Sequence, residues 1–191
     1  MKATQPIRNP QDVRNFLNYF KQQGQTRNYV LATLGVHTAL RISDILNLSC
    51  DDVYDFSGGK NGTVRKSITL VEQKSKKPKQ IALNKSIISA LNAYLPEVAS
   101  GKPLIINPKT NKSISRIQAY RIIREAASAV GIDYAVSCHS LRKTFGYAAW
   151  KNGVSPVVLM DIYNHSSMAI TQRYLGVAQD DLNVTYMQLG F

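Results

Sequence analysis

The segment 137–176 constrains the fold most, because residues that start and stop helices divide it into three parts. Serines that can cap a helix begin each part, at Ser137, at Ser155 and at Ser166 or Ser167. Each part also ends at residues that typically terminate a helix, at Asn152-Gly153, near Asn164 and at Gly176. The pattern therefore predicts three short helices joined by tight connections.

Two side chains at the start of this segment can bind an anion. His139 and Arg142 are three positions apart, so they share one face of the first predicted helix. They also lie in its first turn, where backbone N–H groups and the helix dipole favour negative charge. This predicts a phosphate clamp, although an isolated pair of this spacing is more often a surface arginine and a hydrogen-bonded histidine.

Tyr174 lies near the end of the third predicted helix, nine positions after His165. A tyrosine phenol is a weak nucleophile at neutral pH, because its reference pKa is about 10. It needs cationic neighbours or a base in order to attack a phosphate. Taken alone, a tyrosine next to Leu175 indicates packing more often than chemistry.

The combination of these residues is more specific than any one of them. In the order His139, Arg142, His165 and Tyr174, the chain resembles the tyrosine recombinase (phage integrase) family. The matching strings are VHTALRISDILNL, HSLRKTFGYAAWKNG and YNHSSMAITQRYLG, and the likeness runs from about residue 25 to residue 176. The resemblance implies a mainly α catalytic domain with a small antiparallel β-sheet beside its cleft. Tyr163 and Tyr186 are weaker nucleophile candidates, because their spacing from His165 does not match.

Arg41 lies between apolar residues at the start of a short helix that Ser43 can cap. A cation in apolar surroundings needs a partner. A structural pair with Asp44, three positions later, would supply one. The resemblance implies instead that Arg41 is the first catalytic arginine and that Asp44 supports the site from behind it.

A lysine-rich turn separates two predicted strands, 66–71 and 79–83. Such a turn is usually a solvated surface or a simple phosphate-contact patch. The family, however, carries its catalytic lysine in this hairpin, and the alignment favours Lys74. Lys76 and Lys77 are close rivals, because the register of a hairpin can shift by a residue or two.

Four other stretches show apolar residues at helical spacing, which predicts core helices over 9–23, 26–39, 84–95 and 113 or 115 to 130. The last of these is predicted to turn its apolar side chains inward: Ile117, Tyr120, Ile123, Ala126 and Ala127. Its arginines, Arg116, Arg121 and Arg124, share the other side, either as a solvated face or as DNA contacts. Arg116, Arg121 and Lys143 are counted with Lys76 and Lys77 as predicted DNA-binding residues.

The charge balance favours a polyanionic partner. The 191 residues include 24 Lys and Arg against 12 Asp and Glu, which gives a net charge of +12. Nucleic acid is the first such partner and an anionic membrane surface the second. No apolar run is long enough to span a bilayer, and the start MKATQPIRNPQD is not a signal peptide. Cys50 and Cys138 form no metal or disulfide framework, so a cytoplasmic, reducing setting is expected.

The resemblance assigns roles that need neither metal nor cofactor. Arg41 and Arg142 bind the non-bridging oxygens of a double-stranded DNA phosphate. His139 donates to these oxygens or moves the proton of Tyr174, and His165 positions the phosphate or the nucleophile. Lys74 protonates the departing 5′ oxygen, Tyr174 forms a 3′-phosphotyrosine, and a second 5′ hydroxyl rejoins the strand.

The expected organisation is a catalytic domain over 1–176 and an amphipathic tail helix over 177–191. The tail either folds back or, as in the family, docks on a neighbouring subunit of a homo-oligomer, a tetramer on DNA. Only 40 residues precede Arg41, so the N-terminal clamp domain of the family is predicted to be absent. The chain is then either a fragment or a naturally short relative.

Two rival functions explain part of the pattern. Helices 139–152 and 156–162 could form the helix-turn-helix of a non-catalytic DNA-binding protein. That hypothesis leaves His165 and Tyr174 without a role. A type IB topoisomerase would share the chemistry, but the short length argues against it.

Overall fold

The computed structural model describes residues 4–57 and 62–175, together with Asn183, Tyr186 and Met187. Nine α-helices lie in this part of the chain: α1 Pro10–Gln22, α2 Thr26–His37, α3 Ile42–Leu46, α4 Cys50–Val53, α5 Lys85–Tyr94, α6 Arg116–Ala129, α7 Cys138–Lys151, α8 Pro156–Tyr163 and α9 Met168–Leu175. The predicted mainly helical fold with small antiparallel sheets is confirmed.

The strands form three separate antiparallel pairs: β1 Tyr54–Asp55 with β2 Thr63–Val64, β3 Ser67–Val71 with β4 Pro78–Ala82, and β5 Ile106–Asn107 with β6 Lys112–Ser113. The β3–β4 hairpin is the one predicted, and Val71 lies opposite Pro78 at its end. The connection between β1 and β2 includes residues 58–61, which lie outside the described part.

Side chains cap several helices, and the predicted caps Ser137 and Ser155 are among them. Asn9, Asn84, Ser115 and Ser137 each accept a hydrogen bond from a backbone N–H in the first turn of α1, α5, α6 and α7. Ser43 was predicted to cap α3, and this is wrong, because the helix begins at Ile42 and the cap position is two residues earlier, at Arg41. The α7 helix is followed by Gly153 in the predicted left-handed conformation, with φ +83°.

The core is built around α2, which α1, α5 and α7 contact. Val30, Leu31 and Leu34 are completely buried. Gly35 lets α7 approach closely, since a Cβ there would lie 2.6 Å from Cδ1 of Leu141. The core therefore fixes α7, the helix with His139 and Arg142.

A second, smaller cluster of buried residues holds α8 and α9 against α7. It consists of Ala39, Leu159, Tyr163 and Leu175, with Phe145, Trp150 and Tyr174 packed at its edge. Leu175 belongs to this cluster and holds the end of α9 in place, whereas its neighbour Tyr174 is half-buried at the edge. No helix within the described ranges combines the length and the apolar character needed to cross a membrane.

The predicted inward face of α6 is wrong at two positions. Ile117 is 64% exposed and Tyr120 is 41% exposed. The buried stripe of the helix is Ala119, Ile123, Ala126 and Ala127. The helix contacts α1, α3 and α7, and the two larger residues lie outside its buried stripe.

Candidate active site

One cleft collects five of the six residues that the sequence predicted as catalytic. Its lining includes Arg41, Lys74, His139, Arg142 and Tyr174. These side chains come from the start of α3, the β3–β4 turn, α7 and α9. Residues far apart in sequence thus meet at one surface depression.

The sixth predicted residue, His165, reaches the site through contact with Tyr174. Their ring centroids are 4.6 Å apart in an edge arrangement. The ring of His139 also contacts Tyr174, with centroids 4.9 Å apart. Tyr174 is therefore in contact with both imidazoles, and the ring of Tyr163 is 5.3 Å away.

Arg142 is a large, fully buried cation, with 1% of its surface exposed. It donates hydrogen bonds to the carbonyl oxygens of Ala39 and Tyr163, the latter at 3.0 Å. Its guanidinium carbon lies 4.7 Å from the ring centroid of Tyr163. Its Nε is buried and has no acceptor among the described residues.

Arg41 has a partner that sequence reasoning missed. Its Nη1 lies 3.1 Å from Oε1 of Glu72, a residue whose side chain has no exposed surface. The two atoms form an ion pair without an aligned hydrogen bond. Arg41 itself keeps 21% of its side chain exposed at the cleft.

The proposed side-chain pair between Arg41 and Asp44 does not form. Asp44 is buried, and its carboxylate instead accepts backbone N–H groups, from Gln73 at 2.9 Å and from Arg41 at 3.3 Å. The first of these bonds ties the β3–β4 turn to α3. Asp44 itself is not among the residues that line the cleft.

The pKa of each imidazole in the site lies below its ordinary value. Burial, followed by the charges of Arg142 and Arg41, lowers the pKa of His165 to about 4. Burial, followed by Lys143 and Arg142, lowers the pKa of His139. Both rings are therefore mainly neutral at neutral pH and can accept a proton. Nδ1 of His165 lies 3.0 Å from the hydroxyl of Thr171, which fixes the ring orientation.

The four hairpin lysines have different surroundings. Lys74 is exposed and lines the cleft, whereas Lys76 and Lys77 are exposed and are not among its lining residues. Lys79 points inward, with Nζ 2.5 Å from the carbonyl oxygen of Ile162 and 3.8 Å from Glu72. Burial lowers the pKa of Lys79 to about 8.

The predicted DNA-binding residues of α6 and α7 differ in exposure. Arg116 lines the cleft, whereas Arg121 is exposed and lines a second depression, which shares Tyr120 with the cleft. The amine of Lys143 is half-buried instead, donating to the carbonyl oxygen of Thr4 at 2.7 Å, and lies 5.9 Å from the Tyr174 ring centroid. Across the described ranges, no three His, Cys, Asp or Glu residues are arranged to bind a metal ion.

The mainly helical domain thus gathers two arginines, a lysine, a histidine and a tyrosine at one cleft, and a second histidine contacts the tyrosine. The model of the Phage integrase family matches residues 9–180. The chain therefore belongs to the phage integrase family, the tyrosine recombinases.

Similar proteins support this assignment. Probable integrase/recombinase YoeC of Bacillus subtilis (strain 168) is 36% identical over 190 residues, which cover 100% of this chain and 99% of YoeC. Tyrosine recombinase XerD of Mycobacterium tuberculosis (strain ATCC 25618 / H37Rv) is 28% identical over 155 residues, which cover 78% of this chain and 47% of XerD. The chain thus matches the whole of YoeC but about half of XerD.

Solved structures of the family share the fold. XerA recombinase superposes with a TM-score of 0.77 at 22% identity, covering 97% of this chain and 66% of XerA. XerH bound to its palindromic difH substrate, in a post-cleavage complex, gives 0.75 at 17% identity, with coverage of 98% and 54%. The chain accordingly has the catalytic-domain fold of a site-specific tyrosine recombinase.

Proposed function

We propose that this chain cleaves and rejoins double-stranded DNA at defined sites through a covalent bond between Tyr174 and a 3′ phosphate. The observation that carries the proposal is the contact of Tyr174 with the rings of His139 and His165, in a cleft lined by Arg41 and Arg142. The net charge of +12 favours the polyanionic substrate.

The two arginines neutralise the phosphate. Arg41 and Arg142 bind its non-bridging oxygens, where negative charge increases in the transition state. The buried guanidinium of Arg142 is held by backbone carbonyls, so little reorganisation is needed when the phosphate binds. No metal ion is required for this neutralisation.

The histidines act on the nucleophile. His139 is mainly neutral, so it can take the phenolic proton of Tyr174 as the oxygen attacks phosphorus. His165 contacts the same ring, and Thr171 holds its orientation, which suits a role in positioning Tyr174 or the phosphate.

Lys74 completes the transfer. The phenolic oxygen of Tyr174 forms a bond to phosphorus, the bond to the 5′ oxygen breaks, and Lys74 gives that oxygen a proton. The phosphotyrosine keeps the energy of the phosphodiester, so a 5′ hydroxyl can reverse the reaction without ATP. The exposed position of Lys74 on a turn at the cleft allows it to reach the leaving group.

The proposal extends to the assembly of several subunits on DNA. XerH and the Tn1549 transposon integrase were solved in complexes with DNA. By analogy, residues 1–176 form the catalytic domain of a homo-oligomer, a tetramer on DNA, and the tail 177–191 docks on a neighbouring subunit. The tail prediction falls almost entirely outside the described residues; Tyr186 and Met187, which are described, are exposed.

Size-exclusion chromatography of the DNA complex would test the tail. The full chain should elute as a larger species than a chain that stops after Gly176. Equal elution of the two complexes would count against docking.

A covalent trapping assay tests the chemistry. The protein is incubated with duplexes that contain a randomised core and a nick just past the scissile phosphate, which prevents rejoining. A denaturing gel should reveal an adduct for the wild type, without added metal, and none for Tyr174→Phe. An adduct that survives this substitution would move the chemistry to another tyrosine. Salt-sensitive binding without an adduct would favour the non-catalytic DNA-binding alternative, and relaxation of supercoils at no defined site would favour a topoisomerase.

A further inference from the structure

Glu72 is the one buried glutamate in the described part of the chain, and it lies directly behind the cleft. It follows strand β3 at the start of the hairpin turn that carries Lys74. Its side chain has no exposed surface, so it does not contact DNA. A carboxylate facing the phosphate would in any case repel it, so any contribution to the reaction must pass through other residues.

The carboxylate contacts three separate segments of the site. Oε1 pairs with Arg41 at 3.1 Å and lies 3.8 Å from Nζ of Lys79. Oε2 accepts hydrogen bonds from Asn164 at 2.7 Å and from Ser75 at 2.6 Å. Asn164 directly precedes His165 and has a left-handed conformation, with φ +53°.

A buried carboxylate needs such compensation. Although burial alone would raise the pKa of Glu72, the hydrogen bonds from Ser75 and Asn164 and the charges of Lys79 and Arg41 lower it. The group is therefore ionised at neutral pH. An ionised, hydrogen-bonded anion can hold a flexible arginine in one geometry before the phosphate arrives.

We propose that Glu72 is a positioning residue that fixes Arg41 at the cleft and joins the Lys74 hairpin to the segment carrying His165. The expected effect on catalysis rests on the proposed function. The positioning itself rests on the contacts of the Glu72 carboxylate. Glu72 thus sets the distances between the first arginine, the general acid and a histidine, which come from three distant parts of the sequence.

The test uses the full chain and duplexes recovered from the nicked, randomised pool. Glu72→Gln keeps the size of the side chain and removes its charge. We expect the single-turnover rate of adduct formation to fall about 10-fold to 100-fold, as is typical when a group that orients an active-site residue is lost. The Kd for DNA should change less than about 3-fold, because Glu72 does not reach the DNA. Glu97→Gln, an exposed glutamate whose partner is Thr26, is the charge-matched control and should keep the wild-type rate.

A double-mutant cycle separates positioning from a general effect on stability. If Glu72 acts through Arg41, then Glu72→Gln should slow an Arg41→Lys variant by less than about 3-fold, since the pair is already altered. Equal losses in both backgrounds, or an unchanged rate in Glu72→Gln, would overturn the proposal. If Glu72→Gln fails to fold, Glu72→Asp is used instead, because it keeps the charge but withdraws it from Arg41. This variant is also expected to slow the reaction. A wild-type rate in Glu72→Asp would overturn the proposal.

The guanidinium NMR signal of Arg41, assigned with Arg41→Lys, gives a reading that needs no cleavage. It should move or broaden in Glu72→Gln and stay in place in Glu97→Gln. A wild type that forms no adduct at Tyr174 would refute the proposed function alone, because this signal would still decide whether Glu72 fixes Arg41. An Arg41 signal unaffected by Glu72→Gln would refute the positioning role alone.

Discussion

Arg142 and Tyr163 hold each other by two reciprocal hydrogen bonds. Nη2 of Arg142 donates to the carbonyl oxygen of Tyr163 at 3.0 Å, and the Tyr163 hydroxyl donates to the carbonyl oxygen of Arg142 at 2.8 Å. Both side chains are almost completely buried. The arrangement links α7 to the end of α8, and the Tyr163 hydroxyl is bonded to a backbone carbonyl oxygen.

Tyr163→Phe should lower stability without abolishing the reaction. The substitution removes one buried hydrogen bond, which typically costs about 1–2 kcal/mol in the free energy of unfolding. Chemical denaturation measures this loss. The covalent adduct should form more slowly, because Arg142 loses a support, but it should still form. If the adduct were lost in Tyr163→Phe and persisted in Tyr174→Phe, Tyr163 would be the nucleophile and Tyr174 would not.

Gly146→Ala should destabilise the protein by about 1–3 kcal/mol, the usual effect of overpacking a core. A Cβ at this position of α7 would lie 2.9 Å from Cζ of Tyr163 and closer still to its hydroxyl oxygen. The ring would have to move, and its bond to Arg142 would break. Thermal unfolding distinguishes the two effects, because helix propensity alone predicts that this change raises the free energy of unfolding by up to about 1 kcal/mol. A raised melting temperature would contradict the predicted clash.

Short-range signals in the sequence predicted the helices well. A cap such as Ser137 or Asn84 bonds a backbone group within three residues, so its effect can be recognised from neighbouring letters. The approximate strand limits of the β3–β4 hairpin were recognised for the same reason, from a polar turn between two β-prone runs. The family resemblance supplied the candidate site residues, which the fold brings together around one cleft.

Glu72 was missed because nothing in its neighbourhood marks it. It lies among lysines in a turn, where a charged residue is normally solvated, and its partners Arg41 and Asn164 are far away in sequence. The outward position of Tyr120 was missed for a related reason. The apolar spacing of α6 allows two adjacent stripes, and the choice between them depends on how closely α1 and α7 approach.

The low pKa of His165 should make stability depend on pH. Its pKa is about 4 in the folded protein and about 6.5 when unfolded, so the unfolded chain binds more protons between these values. Stability contributed by His165 is therefore complete above about pH 6.5 and is lost as the pH falls toward 4. The melting temperature should fall less steeply over this window in His165→Gln. An NMR titration of the signal that disappears in this variant should give a midpoint near 4, and a midpoint near 6.5 would show that the ring is not buried among cations.

Arginines on the outer face of α6 should contribute phosphate contacts. Arg116 lines the cleft, Arg121 is exposed, and Tyr120 is exposed near both. Each phosphate contact that is lost should reduce the slope of log K against log salt by about 0.9, because fewer counterions are released on binding. Arg116→Gln and Arg121→Gln should each weaken binding and flatten this slope, as measured by fluorescence anisotropy at several salt concentrations. Arg14→Gln is the matched control, since this exposed arginine of α1 is hydrogen-bonded to Gln11. Slopes equal to that of the control would place the DNA on another face of the protein.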